Sequence, residues 1–233
     1  MPVETPPEIP DPRDQRKYYF EITPLRRILT SSAQAIFRML AVIEPSGVEN
    51  LPSNGPVVLA ANHMTNFDVF PMQFVLPRPI FFMAKAELHR NPLMDAVMRQ
   101  MGSFPVERGA HDEWALRHAV QVLEHRQVVG IFPEGKRNQG QGLRPAKTGA
   151  ARMALAAGCP IVPLAVDGTQ HIFRRLANGR PWQRTTVHIR LGAPLFPGHG
   201  ETALALTDRM MFALAELLPP EQRGVYALHP PSF

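Results

Sequence analysis

An α/β fold, a single domain with a mixed central sheet flanked by helices and preceded by an N-terminal amphipathic helix, is predicted by three features of the sequence. Short apolar runs alternate with segments of helical spacing, and those runs end in polar or charged residues. The 233 residues, 45% of them hydrophobic, suffice for one full core and call for no second domain.

Residues 1–23 are expected to form a flexible tail, because five prolines fall in the first twelve positions and few large apolar groups accompany them. From 24 to 44, Leu25, Ile28, Leu29, Ala33, Ile36, Phe37, Leu40 and Ile43 recur at near-helical spacing, with Arg26, Arg27 and Arg38 between them. Arg, Ser, Thr and Gln interrupt this helix too often for it to cross a bilayer, which needs roughly 20 mostly apolar residues. Its two homes are the protein's own core and a membrane interface, where a basic-flanked apolar face sinks among headgroups.

Val57–Ala61 reads as a short buried strand, so Asn62-His63-Met64-Thr65-Asn66-Phe67-Asp68 falls where α/β sheets place ligands. His63 and Asp68 are five residues apart and would point to different faces of a helix, which makes them a poor metal pair. A turn between strand and helix folds the carboxylate back onto an imidazole nitrogen instead, fixing the tautomer and leaving the other nitrogen as a general base. Taken alone, the short spacing is a weak motif, and the stretch reads first as a polar strand end at His63 with a helix cap at Asn66 or Asp68.

Ile80–Ala84 is the next strand, and Asn91-Pro92 caps a helix through Met101. Gly102-Ser103-Phe104-Pro105-Val106-Glu107-Arg108 then forms a loop able to aim the Arg108 guanidinium, a bidentate phosphate donor, before a helix from Asp112 to His125. The strand Val128–Phe132 runs into Pro133-Glu134-Gly135-Lys136-Arg137-Asn138, where Gly135 admits close backbone approach and Lys136 and Arg137 add cations. A glycine-rich, mobile connection, Gln139 to Leu143, leads to Lys147, placed before a helix starting near Thr148-Gly149. Ile161–Val166 is a strand, His171 to Trp182 a basic loop or interfacial contact, and Thr185–Leu191 a strand with one polar face. A helix from about Glu201 to Leu217 ends before Pro219-Pro220.

The net charge of +5 suits an anionic substrate or membrane surface. Nucleic acid is not an expected partner, because no zinc-ligand spacing, RNA-binding signature or long basic arm occurs. No phosphate-binding or dinucleotide glycine fingerprint implies a nucleotide or nicotinamide cofactor, and the nine histidines show no ligand-like cluster, so no metal is expected. The single Cys159 cannot form an intrachain disulfide and points to a reducing, cytoplasmic compartment; no leader with an apolar core suggests secretion.

Four blocks together give the sequence a strong resemblance to the glycerolipid acyltransferases, most closely the 1-acylglycerol-3-phosphate acyltransferases, over roughly residues 45–220. They are Asn62, His63 and Asp68; Gly102, Phe104, Val106 and Arg108; Phe132, Pro133, Glu134, Gly135 and Arg137; and Ile161, Val162 and Pro163. Lys136 stands where that family often carries Thr or Ser. The resemblance implies an acyltransferase domain at 45–233 that passes an acyl group from acyl-CoA or acyl carrier protein to lysophosphatidic acid, making phosphatidic acid. It implies His63 as base, Asp68 as its orienter, and Arg108, Glu134, Gly135 and Arg137 as acceptor-binding residues, with Lys136 and Lys147 as further candidates. Direct attack fits better than a covalent intermediate, since Cys159 lies outside the blocks and no serine sits in a nucleophile elbow; backbone N–H groups near Gly135 are candidate oxyanion donors, and the already activated thioester calls for no metal or resident cofactor. A peripheral or monotopic enzyme on the cytoplasmic face of the membrane is the implied setting. Another lysolipid acceptor, or a non-catalytic lipid-binding module, are the other readings.

Overall fold

The computed structural model describes residues 11–107, 112–179 and 183–228. Its strands are β1 (Ala41–Ser46), β2 (Val57–Ala61), β3 (Ile80–Lys85), β4 (Ser103–Val106), β5 (Val128–Ile131), β6 (Ile161–Asp167) and β7 (Thr185–Leu191). Its helices are α1 (Pro24–Leu40), α2 (Val69–Val75), α3 (Pro92–Gln100), α4 (Glu113–Glu124), α5 (Gly149–Ala157), α6 (Thr169–Ala177) and α7 (Ala203–Glu216). The strands form one sheet in the order β1-β7-β6-β2-β5-β3-β4. Five run parallel from β6 to β4; β7 pairs antiparallel with β6, and β1 lies parallel to β7. The sheet is therefore mixed, as expected.

Every residue of β2 is buried, which explains its unbroken apolar run: helices cover both faces of a mostly parallel sheet. One face meets α4, α5 and α7 through Trp114, Val122, Met153, Met210 and Leu214; the other meets α1, α2 and α6 through Phe37, Met72 and Ile172. Helix starts follow local chemistry. Asn91 accepts from the amides of Leu93 and Met94, and Asp112 from that of Ala115, each at 3.0 Å.

Three expectations need correction. The amphipathic helix ends at Leu40 rather than 44, because Ala41–Ser46 is a sheet strand in register with Thr185–Arg190. Val42 and Ile43 favour a pleated edge, and Pro45 is tolerated because β1 is the outermost strand. The core side of the helix packs Phe37 on Phe70 and Phe74, while Leu25, Ile28, Ile36 and Met39 stay exposed on the outer side.

The expected tail divides. Residues 1–10 lie outside the described residues, but 11–23 packs on α4. Arg13 makes a fork to Asp112 at 2.6 and 3.0 Å and lies 4.3 Å over the Trp114 ring; Trp114 Nε1 donates to Asp14 at 2.7 Å; Tyr18 and Phe20 pack against His118. These aromatic groups supply the apolar contact that the count of prolines obscured. Finally, the stretch expected as a basic loop from His171 begins within α6, whose Ile172 is buried against the sheet; Arg180 and Trp182 lie outside the described residues.

Candidate active site

The C-terminal end of β2 is fastened before any catalytic group appears. The Asn62 side-chain amide donates to the Val166 carbonyl at 2.8 Å and accepts from the Val166 N–H at 2.7 Å, so it extends the ladder between β2 and β6 by one residue. His63 follows, with its backbone N–H donating to Glu134 Oε1 at 2.8 Å and its carbonyl accepting from the Asn138 N–H at 2.7 Å. The chain then turns into α2, and that turn returns Asp68 to His63, Nδ1 to Oδ2 at 2.8 Å.

Asp68 is wholly buried and surrounded by donors. Oδ2 also accepts from the amides of Met64 (2.7 Å) and Thr65 (2.9 Å), and Oδ1 from the hydroxyls of Thr65 (3.1 Å) and Thr169 (2.6 Å). Such a donor set suits an acceptor-only carboxylate, so the ring nitrogen facing it is the donor, and the neutral imidazole held this way has its lone pair on Nε2. The imidazole stacks on Phe132 at 4.0 Å and 16°, which fixes its plane. Among the described residues no group occupies Nε2, and the ring borders a cavity of ≈ 530 Å³. Met83, Val106, Leu116, Ile131 and Met153 supply its apolar wall, while Lys147, Arg152 and Glu107 supply charge.

The other expected site residues separate under this geometry. Gly135 and Lys147 line the cavity together, with an ideal Cβ on Gly135 only 3.5 Å from Lys147 Cε. Lys136 and Arg137 sit exposed on the same turn, outside the cavity lining. Arg108 lies outside the described residues. Glu134 requires a correction, for its carboxylate is buried and turned to the protein's own groups: besides His63, it accepts from the Asn138 side chain at 3.1 Å to each oxygen and from the Arg144 N–H at 3.0 Å. Burial pushes its pKa up and these bonds oppose the rise. It therefore ties the turn after β5 to the end of β2 instead of touching an anion. The Gly135 amide, considered as an oxyanion donor, is already bonded to the Phe132 carbonyl at 3.0 Å.

The connection from Gln139 to Leu143, expected to be mobile, is held by the segment after α7. Leu143 donates to Gln222 O and accepts from the Val225 N–H, at 3.0 and 3.1 Å, and the Ala146 N–H donates to the Tyr226 hydroxyl at 3.1 Å. Sequence reasoning missed Thr169, Asn138 and Arg152. Arg152 is bound to Glu113 at 3.0 Å as well as lining the cavity. Among the described residues no group of three or more His, Cys, Asp or Glu is placed to hold a metal ion.

A buried histidine–carboxylate pair at the strand ends of a mixed α/β sheet, opening on a largely apolar cavity, is an arrangement that suits acyl transfer. A sequence model of the family described as Acyltransferase matches residues 42–167, a stretch that includes the pair and the turn after β5. The chain belongs to the acyltransferase family. It is 32% identical over 130 residues to the 1-acyl-sn-glycerol-3-phosphate acyltransferase of Borreliella burgdorferi, covering 55% of this chain and 52% of that one. It is 29% identical over 143 residues to the Bacillus subtilis protein of the same description, covering 61% and 71%. The match thus spans about half the length of the former relative. The crystal structure of the 1-acyl-sn-glycerophosphate (LPA) acyltransferase PlsC from Thermotoga maritima shares the fold, with a TM-score of 0.61, 23% identity, and coverage of 82% of this chain and 80% of that one.

Proposed function

We propose that the chain transfers a fatty acyl group from a thioester, acyl-CoA or acyl carrier protein, to the free hydroxyl of 1-acylglycerol-3-phosphate, forming phosphatidic acid. His63, held through Nδ1 by Asp68 and bordering the cavity, is the observation that carries this reading. Nε2 takes the proton of the acceptor hydroxyl as its oxygen forms a bond to the thioester carbonyl carbon. The imidazolium then lies against Asp68, whose ionised oxygens stabilise it. Collapse of the tetrahedral intermediate breaks the carbon–sulfur bond, and the thiol leaves with the proton that His63 had taken. Lys147, beside Gly135 in the cavity lining, supplies a cation for the acceptor phosphate, and Lys136 and Arg137, exposed on the turn after β5, add to that charge; Arg108, expected to share this role, lies outside the described residues. The thioester is already activated, so the reaction calls on no resident cofactor.

On this reading the substrate is a lipid, which supports a setting at a membrane surface, peripheral or monotopic, with the cytoplasmic face as the expected side. Among the described residues no helix is long and apolar enough to cross one. The test is turnover of purified His63→Ala with a panel of lysophospholipids and both donors. We expect a loss of at least ~100-fold, the lower range for removal of a general base, with the melting temperature nearly unchanged. Turnover within about tenfold of wild type would overturn the assignment.

A further inference from the structure

The helix α3 is built inside out. Leu93 is 77% exposed, Met94 is 48% exposed and Val97 also faces solvent, whereas Asp95 is 6% exposed. Beneath the helix Asp95 gathers donors: Oδ1 accepts from His89 Nδ1 at 2.8 Å and from Arg16 at 3.2 Å, and Oδ2 from Arg99 Nε at 3.0 Å. Ser103 Oγ lies 3.4 Å from the other nitrogen of His89. A helix on the surface of a soluble domain ordinarily turns its apolar side inward, and an outward apolar side marks a surface that something covers.

The exposed face is continuous with two other features. Leu88, in the turn before α3, is exposed as well. At the far end the Thr23 hydroxyl bonds Gln100 at 2.7 Å, setting the last turn of α3 beside the start of α1, where Ile22, Leu25 and Ile28 are exposed. Arg27 and Arg90 stand exposed at the margin; of the acids there, Glu87 is paired with Lys85 at 2.9 Å, which leaves Glu21. Since β2, β3 and β5 run parallel, α3 leaves the sheet at the edge that carries His63, directly after the strand whose Met83 lines the cavity.

We propose that the outer face of α3, continued by the first turns of α1, rests on a phospholipid bilayer and delivers lipid to the cavity beside His63. An apolar strip fringed by net positive charge and adjoining the cavity fits a leaflet with anionic headgroups. The delivery role rests on the lipid-substrate reading above; the contact itself does not.

The experiment compares the full chain with the triple variant Leu93→Ser/Met94→Ser/Val97→Ser. Co-sedimentation with mixed phosphatidylcholine–phosphatidylglycerol vesicles is measured beside transfer to a bilayer-embedded acceptor and to a short-chain, water-soluble lysophosphatidate. The substituted positions are exposed, so the melting temperature is expected to hold. Vesicle affinity and transfer to the embedded acceptor should each fall at least ~10-fold, with transfer to the soluble acceptor unchanged. Unchanged vesicle binding would overturn the proposal. So would a wild-type mass that rises with concentration and reverts in the variant, which assigns the face to a second copy of the chain. If wild type fails on the soluble acceptor, the catalytic reading fails while vesicle binding still decides the surface.

Discussion

Of the five donors around Asp68, four come from within six residues of it, and the fifth, the Thr169 hydroxyl at 2.6 Å, comes from the start of α6, which follows the neighbouring strand β6. It binds Oδ1, the oxygen that does not face His63, and so fixes the rotation of the carboxylate; Thr169 is a positioning residue. Thr169→Val is expected to lower kcat roughly tenfold with KM unchanged, the scale of one charge-assisted hydrogen bond. The acidic limb of the pH–rate profile should move, and Thr169→Ser should restore both. A variant that only melts earlier would assign Thr169 a purely structural part. Separation explains what the sequence disclosed here. The His63–Asp68 contact closes within one turn and could be anticipated from spacing, whereas the bonds of Thr169 to Asp68 and of Glu134 to His63 depend on which strands become neighbours. A carboxylate beside cations reads as an anion-site residue until its partners are known.

Helix α1 is fixed at its start by a buried cation. Arg26 is 2% exposed, donates to the Ile80 carbonyl at 2.8 Å and lies 4.6 Å over Phe81; burial pushes its pKa down to about 10. Gly102 makes this possible, since at φ +79° an added Cβ would stand 2.5 Å from the guanidinium. Gly102→Ala is therefore expected to cost on the order of 2 kcal/mol in denaturant unfolding, more than Arg26→Met, which removes a poorly matched charge and keeps most of the packing. Gly102 opens the stretch that leads to Arg108, and its neighbours give it a further part, making room for Arg26 at the start of α1. The segment after α7 acts on the cavity in a comparable way. Tyr226→Phe leaves the Ala146 N–H without its acceptor next to Lys147, so KM for the acceptor should rise while kcat changes little. Strands and helices with strong local patterns were foreseen nearly to the residue. Misreadings arose where tertiary contacts reversed the local signal, as at Ala41–Ser46, which continues an apolar helical pattern yet pairs with β7.

Across the whole molecule, acid should loosen the N-terminal packing first. His118 is buried among Tyr18, Phe104 and Trp114, and burial pushes its pKa down to about 4 from 6.5, with Asp14 opposing. A histidine whose folded pKa is depressed stabilises the fold fully above its ordinary value and loses that contribution as pH falls from about 6.5 to about 4. At ~1.4 kcal/mol per pH unit, the loss is on the order of 3 kcal/mol. Urea midpoints measured from pH 7.5 to 4.5 should fall for wild type and stay much flatter for His118→Leu. Below that window Asp95 and Asp112 follow: burial raises each pKa, but the donors around them, His89, Arg99 and Arg16 for Asp95 and Arg13 with two backbone amides for Asp112, outweigh it and hold each below 3.8, which predicts a second loss as pH falls below that value. The clasp between Asn62 and Val166 carries a consequence in time. Its partners are 104 residues apart, and β2 cannot acquire both neighbours until β5 and β6 exist to flank it. Closing such long loops is slow compared with forming helices, so a refolding chain should recover helical content well before it regains turnover.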